Sequence, residues 1–156
     1  MHQYKTLCQV HMAGACADLM WRTLQTQYLE WPSIQTWVAV PSSIRALKRR
    51  GFNPAIELAS KLSSYSRLPL VRTALCINES FAVAEQKQAS RDRRWQQALG
   101  RYEAGVALKG QWVGLVDDVM TTGSTLHACS QALLSGGAKG VIAVVFARTP
   151  RSLAQF

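Results

Sequence analysis

The sequence predicts an α/β fold in which a parallel sheet is flanked by helices, and three observations in its last third carry that prediction. Residues 112–116 read as an apolar strand, and 124–135 as a helix with Leu126, Cys129 and Leu133 along one face. Gly136-Gly137 stops that helix, and "VIAVVFA", 141–147, is a second strand that is apolar throughout. Strand, helix, strand is a crossover between parallel neighbours, and a strand without alternation implies a sheet covered on both faces.

The other elements follow in chain order. Residues 7–29 carry apolar side chains at helical spacing (Leu7, Val10, Cys16, Leu19, Met20, Leu24), which predicts one or two helices. "TWVAV", 36–40, is a short strand ended by Pro41. A basic loop comes next. Asn53-Pro54 then predicts a helix cap with proline at the first helical position, and Ile56, Ala59 and Leu62 supply that helix's apolar face. Residues 77–105 are polar, rich in Gln and Arg, and only weakly patterned, as expected of a functional lid or a disordered segment. No internal repeat or linker interrupts the chain, so residues 1–156 read as a single domain with a helical N-terminal part over 1–36.

Composition narrows the partners. Hydrophobic content of 48% with 17% charged residues describes a globular protein and excludes a disordered one. Eighteen Lys and Arg against nine Asp and Glu leave a net charge of +9, which favours nucleic acid or small polyphosphates. Half of those cations fall in two windows: Arg45, Lys48, Arg49 and Arg50, then Lys87, Arg91, Arg93, Arg94 and Arg101. A solvated basic face accounts for either window equally well. Four cysteines without CxxC spacing suit a reducing cytoplasm. Cys8, His11 and Cys16 lack a fourth ligand and suit a helical face, so no metal site is read there. No signal peptide is evident at the N-terminus, and the apolar runs are too short to span a membrane.

The chemistry concentrates in "LVDDVMTTGST", 115–125, where an apolar strand stops at two acids and turns through hydroxyls and a glycine into a helix. In parallel sheets ligands bind at the carboxyl ends of the strands. A helix start offers unpaired amides and a positive dipole end, so Thr121, Thr122, Gly123, Ser124 and Thr125 suit a phosphate. Asp117 and Asp118 would repel that phosphate unless something lay between, and a sugar diol or a divalent cation can. Acids for a ribose and amides for its phosphate describe a phosphoribosyl pocket. Capping of the following turn would need one acid only.

"VGLVDDVMTTGSTL", 113–126, resembles the phosphoribosyl pyrophosphate (PRPP) motif of type I phosphoribosyltransferases. "VAVPSSIRALKRRGFNPAIELASKL", 38–62, "EQKQASRDRRWQQA", 85–98, and "FARTP" are similar to blocks of the ComF/GntX group, so the resemblance covers about residues 37–150. It implies the type I phosphoribosyltransferase fold, with 85–104 as a mobile hood loop. It also implies that Asp117 and Asp118 hold the ribose hydroxyls, with Val119, Met120 and Thr121 through Thr125 around the 5′-phosphate. Pro41 and Ser42, with Arg45, Arg49 or Arg50 nearby, would face pyrophosphate carried with Mg²⁺, and Arg94 would stabilise charge leaving C1. Two departures stand out. Members usually begin with a cysteine-rich zinc ribbon, whereas nothing of that kind precedes "HQYKTL" here; and Gln97 and Pro54 replace the group's usual Asn and Gln.

Three functions follow from the resemblance. One is transfer of phosphoribose from PRPP, or handling of another phosphorylated small molecule, with an unidentified nitrogen acceptor. A second is single-stranded DNA binding in competence or DNA uptake and use, alongside the uptake machinery; Arg91, Arg93 and Trp95 would contribute charge and stacking. A third is PRPP sensing without turnover. Cytoplasmic localisation is expected for each, and a homodimer stays open.

Overall fold

The computed structural model describes residues 2–27, 33–78, 100–106 and 108–149, with the side chains of the first helix described from 12 to 26. In chain order the elements are α1 (His2–Gln27), β1 (Thr36–Ala39), α2 (Ile44–Arg50), α3 (Pro54–Ser66), β2 (Leu75–Ile77), β3 (Tyr102–Ala104), β4 (Trp112–Met120), α4 (Ser124–Ser135) and β5 (Gly140–Arg148). Strands β1, β4 and β5 form a parallel sheet in the order β1-β4-β5, with Val38 opposite Leu115 and Leu115 opposite Ala143. A single bridge from Trp37 to Leu70 continues it beyond β1. Among the described residues no helix is long and apolar enough to cross a membrane.

The middle strand carries the core. Val113, Leu115 and Val116 are wholly buried, because β4 has a strand on each side and helices above and below. Gly114 has no side chain for a reason of space: a Cβ there would lie 2.5 Å from ring atoms of Trp37. The Trp37 ring fills that gap and is held there by its Nε1 hydrogen, donated to Ser66 Oγ of α3 at 2.8 Å. Gly114 and Trp37 therefore mark the face covered by α3. On α4, buried Leu126, Cys129 and Leu133 face the other side, along the stripe their spacing predicts.

Four features differ from the sequence expectation. The residues after Pro41 are not a loop but helix α2. Ser43 caps it by accepting from Ala46 N, and the Gly51 amide donates back to Leu47 O. No residue of α2 is buried, so it has no apolar stripe to betray it. Strand β4 does not stop at the acids; its pairing with β5 continues through Asp117–Val145 to Met120–Arg148. The apolar β5 is covered on both faces only in part, since Ala143 and Phe146 are exposed. Finally, residues 102–104, expected within the hood, form with β2 a two-stranded antiparallel ribbon, extended by Asn78 N to Arg101 O and Gly105 N to Ala74 O. The rest of that stretch, 85–99, lies outside the described residues.

Asn53 and Pro54 behave as their order predicts. Asn53 Oδ1 accepts from Ala55 N at 3.0 Å and proline occupies the first turn of α3. Asn53 Nδ2 also donates to Val40 O at 3.0 Å, which ties the start of α3 to the end of β1.

Gly114→Ala should lower stability by about 1–3 kcal/mol, the usual penalty for overpacking a core in which the neighbour cannot withdraw. Trp37 is 1% exposed and hydrogen-bonded, so the collision falls on a fixed ring. A urea titration would register this as a lower midpoint with unchanged slope.

Candidate functional site

The carboxyl ends of β1 and β4 open side by side into a cavity of about 190 Å³. Val40, Pro41 and Ser42 form one wall, next to Ser43, the cap of α2, and Ala46 and Arg50 reach in from that helix. Asn53 and Pro54 lie at the corner before α3, Asp117 and Asp118 enter from β4, Thr125 from α4, and Tyr102 from the ribbon. These segments converge because β1 and β4 are parallel and adjacent, so both chains leave the sheet on the same side.

Strand geometry divides the two acids between the faces of the sheet. Asp118 shares its parity with Gly114 and points to the side of α3. There its Oδ2 lies 4.0 Å from Arg50 Nη1, and its Oδ1 accepts the Val119 amide at 3.0 Å. Asp117 points to the side of α4 and accepts the Asp118 amide at 2.9 Å. Its carboxyl is pushed up from 3.8 to about 7, mainly by burial and further by the side chain and charge of Asp118, against the opposing pull of the Asp118 amide and Arg50. Behind it, burial raises the Cys129 thiol well above its ordinary range, with the charge of Asp117 adding to the effect. Cys129 is a packing residue rather than a nucleophile.

Just beyond the acids, Val119 through Leu126 wrap a small depression of about 30 Å³. Gly123 turns the chain at φ +82 and heads α4 without a side-chain cap, leaving the first amides of the helix to whatever enters. Thr122 Oγ1 lies 3.0 Å from Ser124 Oγ, and the Ser124 amide donates weakly to it at 3.4 Å. Amides, hydroxyls and a helix dipole converge here as in an anion cradle, with Asp117 of β4 the one carboxyl in the lining.

Of the residues predicted for pyrophosphate, Pro41, Ser42 and Arg50 line the larger cavity. Arg45 and Arg49 do not; both are exposed on α2 and absent from the lining. The turn of the helix explains this, since Ala46 and Arg50, four apart, share the inner face. Arg91, Arg93, Arg94 and Trp95 lie outside the described residues. Sequence reasoning missed Tyr102, Ser43 and Asn53 as cavity residues. Asn53 was legible only as a cap, and no local pattern links Tyr102 to a wall formed sixty residues earlier. Arg50 Nε is buried and meets no hydrogen-bond acceptor among the described residues.

Residues 13–155 match the phosphoribosyl transferase domain. The chain is 32% identical over 153 residues to the DNA utilization protein YhgH of Escherichia coli K12, covering 96% of this chain and 66% of that protein. It is 34% identical over 99 residues to the adenine phosphoribosyltransferase of Treponema denticola, covering 64% and 48%. Among solved structures, glutamine PRPP amidotransferase from Bacillus subtilis aligns with a TM-score of 0.56 at 21% identity, over 86% of this chain and 26% of that one. This likeness shows the type I phosphoribosyltransferase fold. The chain spans 66% of the length of the YhgH protein it matches.

The raised Asp117 carboxyl makes stability depend on pH in a definite direction. A folded-state value above the unfolded one means that its contribution is complete below 3.8 and is lost as pH rises through about 7. Asp117→Asn removes that dependence. Thermal melts across this window should show the variant gaining on the wild type as pH rises, and parallel curves would disprove the assignment.

Proposed function

The chain belongs to the phosphoribosyl transferase domain family, and from that membership we propose that it binds PRPP with Mg²⁺ and transfers phosphoribose to a nitrogen acceptor. One observation carries the reading: two carboxylates enter a cavity that shares Asp117 and Thr125 with the neighbouring anion cradle, an arrangement that suits a ribose 5-phosphate. Asp117 and Asp118 accept hydrogen bonds from the ribose diol, while Thr121 through Thr125 hold the 5′-phosphate by amides and hydroxyls. Pyrophosphate lies toward Pro41, Ser42 and Arg50. The ribosyl centre becomes cationic as pyrophosphate leaves, so the carboxylates stabilise it and water must be kept out. The 85–99 segment would exclude that water and bring Arg94 to the leaving group.

Magnesium fits this arrangement as a passenger of the substrate. Among the described residues no group of three His, Cys, Asp or Glu side chains gathers to cage a metal. Mg²⁺ is held typically by one or two carboxylates plus substrate phosphates. When bound it neutralises charge on the leaving pyrophosphate.

The acceptor has a place beside the ribose. An apolar pocket of about 250 Å³, walled by Met12, Phe52, Leu58 and Phe146, shares Arg50, Pro54 and Asp118 with the ribose cavity. Its size and aromatic walls suit a planar nitrogen heterocycle, and the unsatisfied Arg50 Nε offers that ring a donor. Among the described residues Cys16, Cys76 and Cys129 are free, which suits a reducing compartment and supports a cytoplasmic location.

A second reading, nucleic-acid binding, is favoured by the identity shared with a DNA utilization protein. Single-strand binding would weaken with salt by about −0.7 in log–log slope per neutralised phosphate. Arg93→Ala with Trp95→Ala would reduce it without touching PRPP affinity. Sensing of PRPP without turnover would share the pocket and differ only in releasing no pyrophosphate.

Calorimetric titration of PRPP with Mg²⁺ tests the principal reading. The wild type should bind, and Asp117→Asn should bind roughly 10- to 100-fold more weakly, the cost of losing hydrogen bonds to a charged group. Absence of heat with the wild type would remove the reading. Binding without pyrophosphate release, across a panel of nitrogen heterocycles, would leave a sensor.

A further inference from the structure

Helix α2 sorts its cations. Arg50 turns inward with Ala46 to the ribose cavity and is the one α2 cation that meets a carboxylate among the described residues. Arg45, Lys48 and Arg49 stand at i, i+3 and i+4, which places them together on one outward strip, and all three are exposed. The fold gives them no employment. No residue of α2 is buried, so the strip supports no core. Helix stabilisation accounts for Lys48 and Arg49, which lie in the last turn near the negative dipole end. It does not account for Arg45, a cation in a first turn that holds no acid. Between residues 44 and 72 the sequence has seven cations and one acid, Glu57.

We propose that this outward strip of α2 binds the phosphodiester backbone of nucleic acid. The proposal rests on the nucleic-acid reading above and not on the PRPP reading. The strip runs about 6 Å along the helix, from four residues at 1.5 Å each. In a duplex, the phosphates of one strand follow one another at about 3.4 Å along the axis, so two or three of them come within reach of the three side chains. The helix has no aromatic residue to stack on a base, so recognition is by charge and indifferent to sequence. Arg45 and Arg49, which the sequence associates with pyrophosphate, act on a phosphate chain outside the cavity instead. An anionic membrane is the weaker partner, because Ile44 and Leu47 are too few apolar residues, on too short a helix, to anchor in a bilayer interface.

The test is fluorescence anisotropy of a labelled thirty-nucleotide oligo(dT) titrated with the full chain over a salt series. Arg45→Ala/Lys48→Ala/Arg49→Ala should reduce the log–log salt slope by about 2, from three contacts at about 0.7 each, and lower affinity on the order of a hundredfold near 0.1 M salt. Arg45→Lys/Arg49→Lys should keep the slope, which separates charge from any loss of structure. A wild type that binds while the triple variant keeps its slope overturns the assignment to α2 and leaves the nucleic-acid reading standing. A wild type with no affinity for the oligonucleotide overturns both. So does binding only to phosphatidylserine vesicles, lost in the triple variant.

Discussion

Parallel pairing of β4 between β1 and β5 is the constraint on which the rest of the molecule depends. It buries Val113, Leu115 and Val116 completely, and that burial holds the strand straight. On the β5 side the ladder then continues past the end of the core, through Asp117 to Met120. Two carboxylates are thus carried out on a rigid rail, and the alternation of the strand sends one to each face. A loop could not hold them so. The anion cradle inherits its position from the same rail, since Thr149 N returns to Met120 O and fixes the point from which the chain turns into α4.

The site costs stability where it is most useful. Burying a carboxyl beside a second one is unfavourable for both charges, and the protein bears this at Asp117 by keeping its proton to about neutral pH. What compensates lies behind the site. Trp37 occupies the room that Gly114 leaves, Ser66 fastens its nitrogen, and α3 is thereby locked across β1. Asn53 fastens the other end of α3 to Val40, so the cavity wall is tied to the core at both ends of one helix.

What could be read from the sequence was whatever a short window contains. The strand–helix–strand of the last third, the face formed by Leu126, Cys129 and Leu133 and the Asn53-Pro54 cap all rest on neighbours within a few residues, and each stands in the structure. What could not be read depends on distant partners. The extension of β4 requires β5, which begins twenty residues later. Tyr102 reaches the cavity only because β3 pairs with β2. Helix α2 escaped notice because periodicity is a signal of burial, and no apolar residue of α2 is buried. Its helical phase, invisible in a run of basic residues, is what separates Arg50 from Arg45 and Arg49.

Asn53 shows how one short-range choice reaches further than packing. Its amide spends both ends, the oxygen on Ala55 and the nitrogen on Val40, so conversion to aspartate would erase the link between β1 and α3. Asparagine ages chemically when the next backbone nitrogen, having lost its hydrogen, attacks the side-chain carbonyl and expels ammonia. Proline has no such hydrogen. Pro54, placed where a helix tolerates it best, therefore also shields the residue that joins the cavity wall to the core from the commonest route of spontaneous decay.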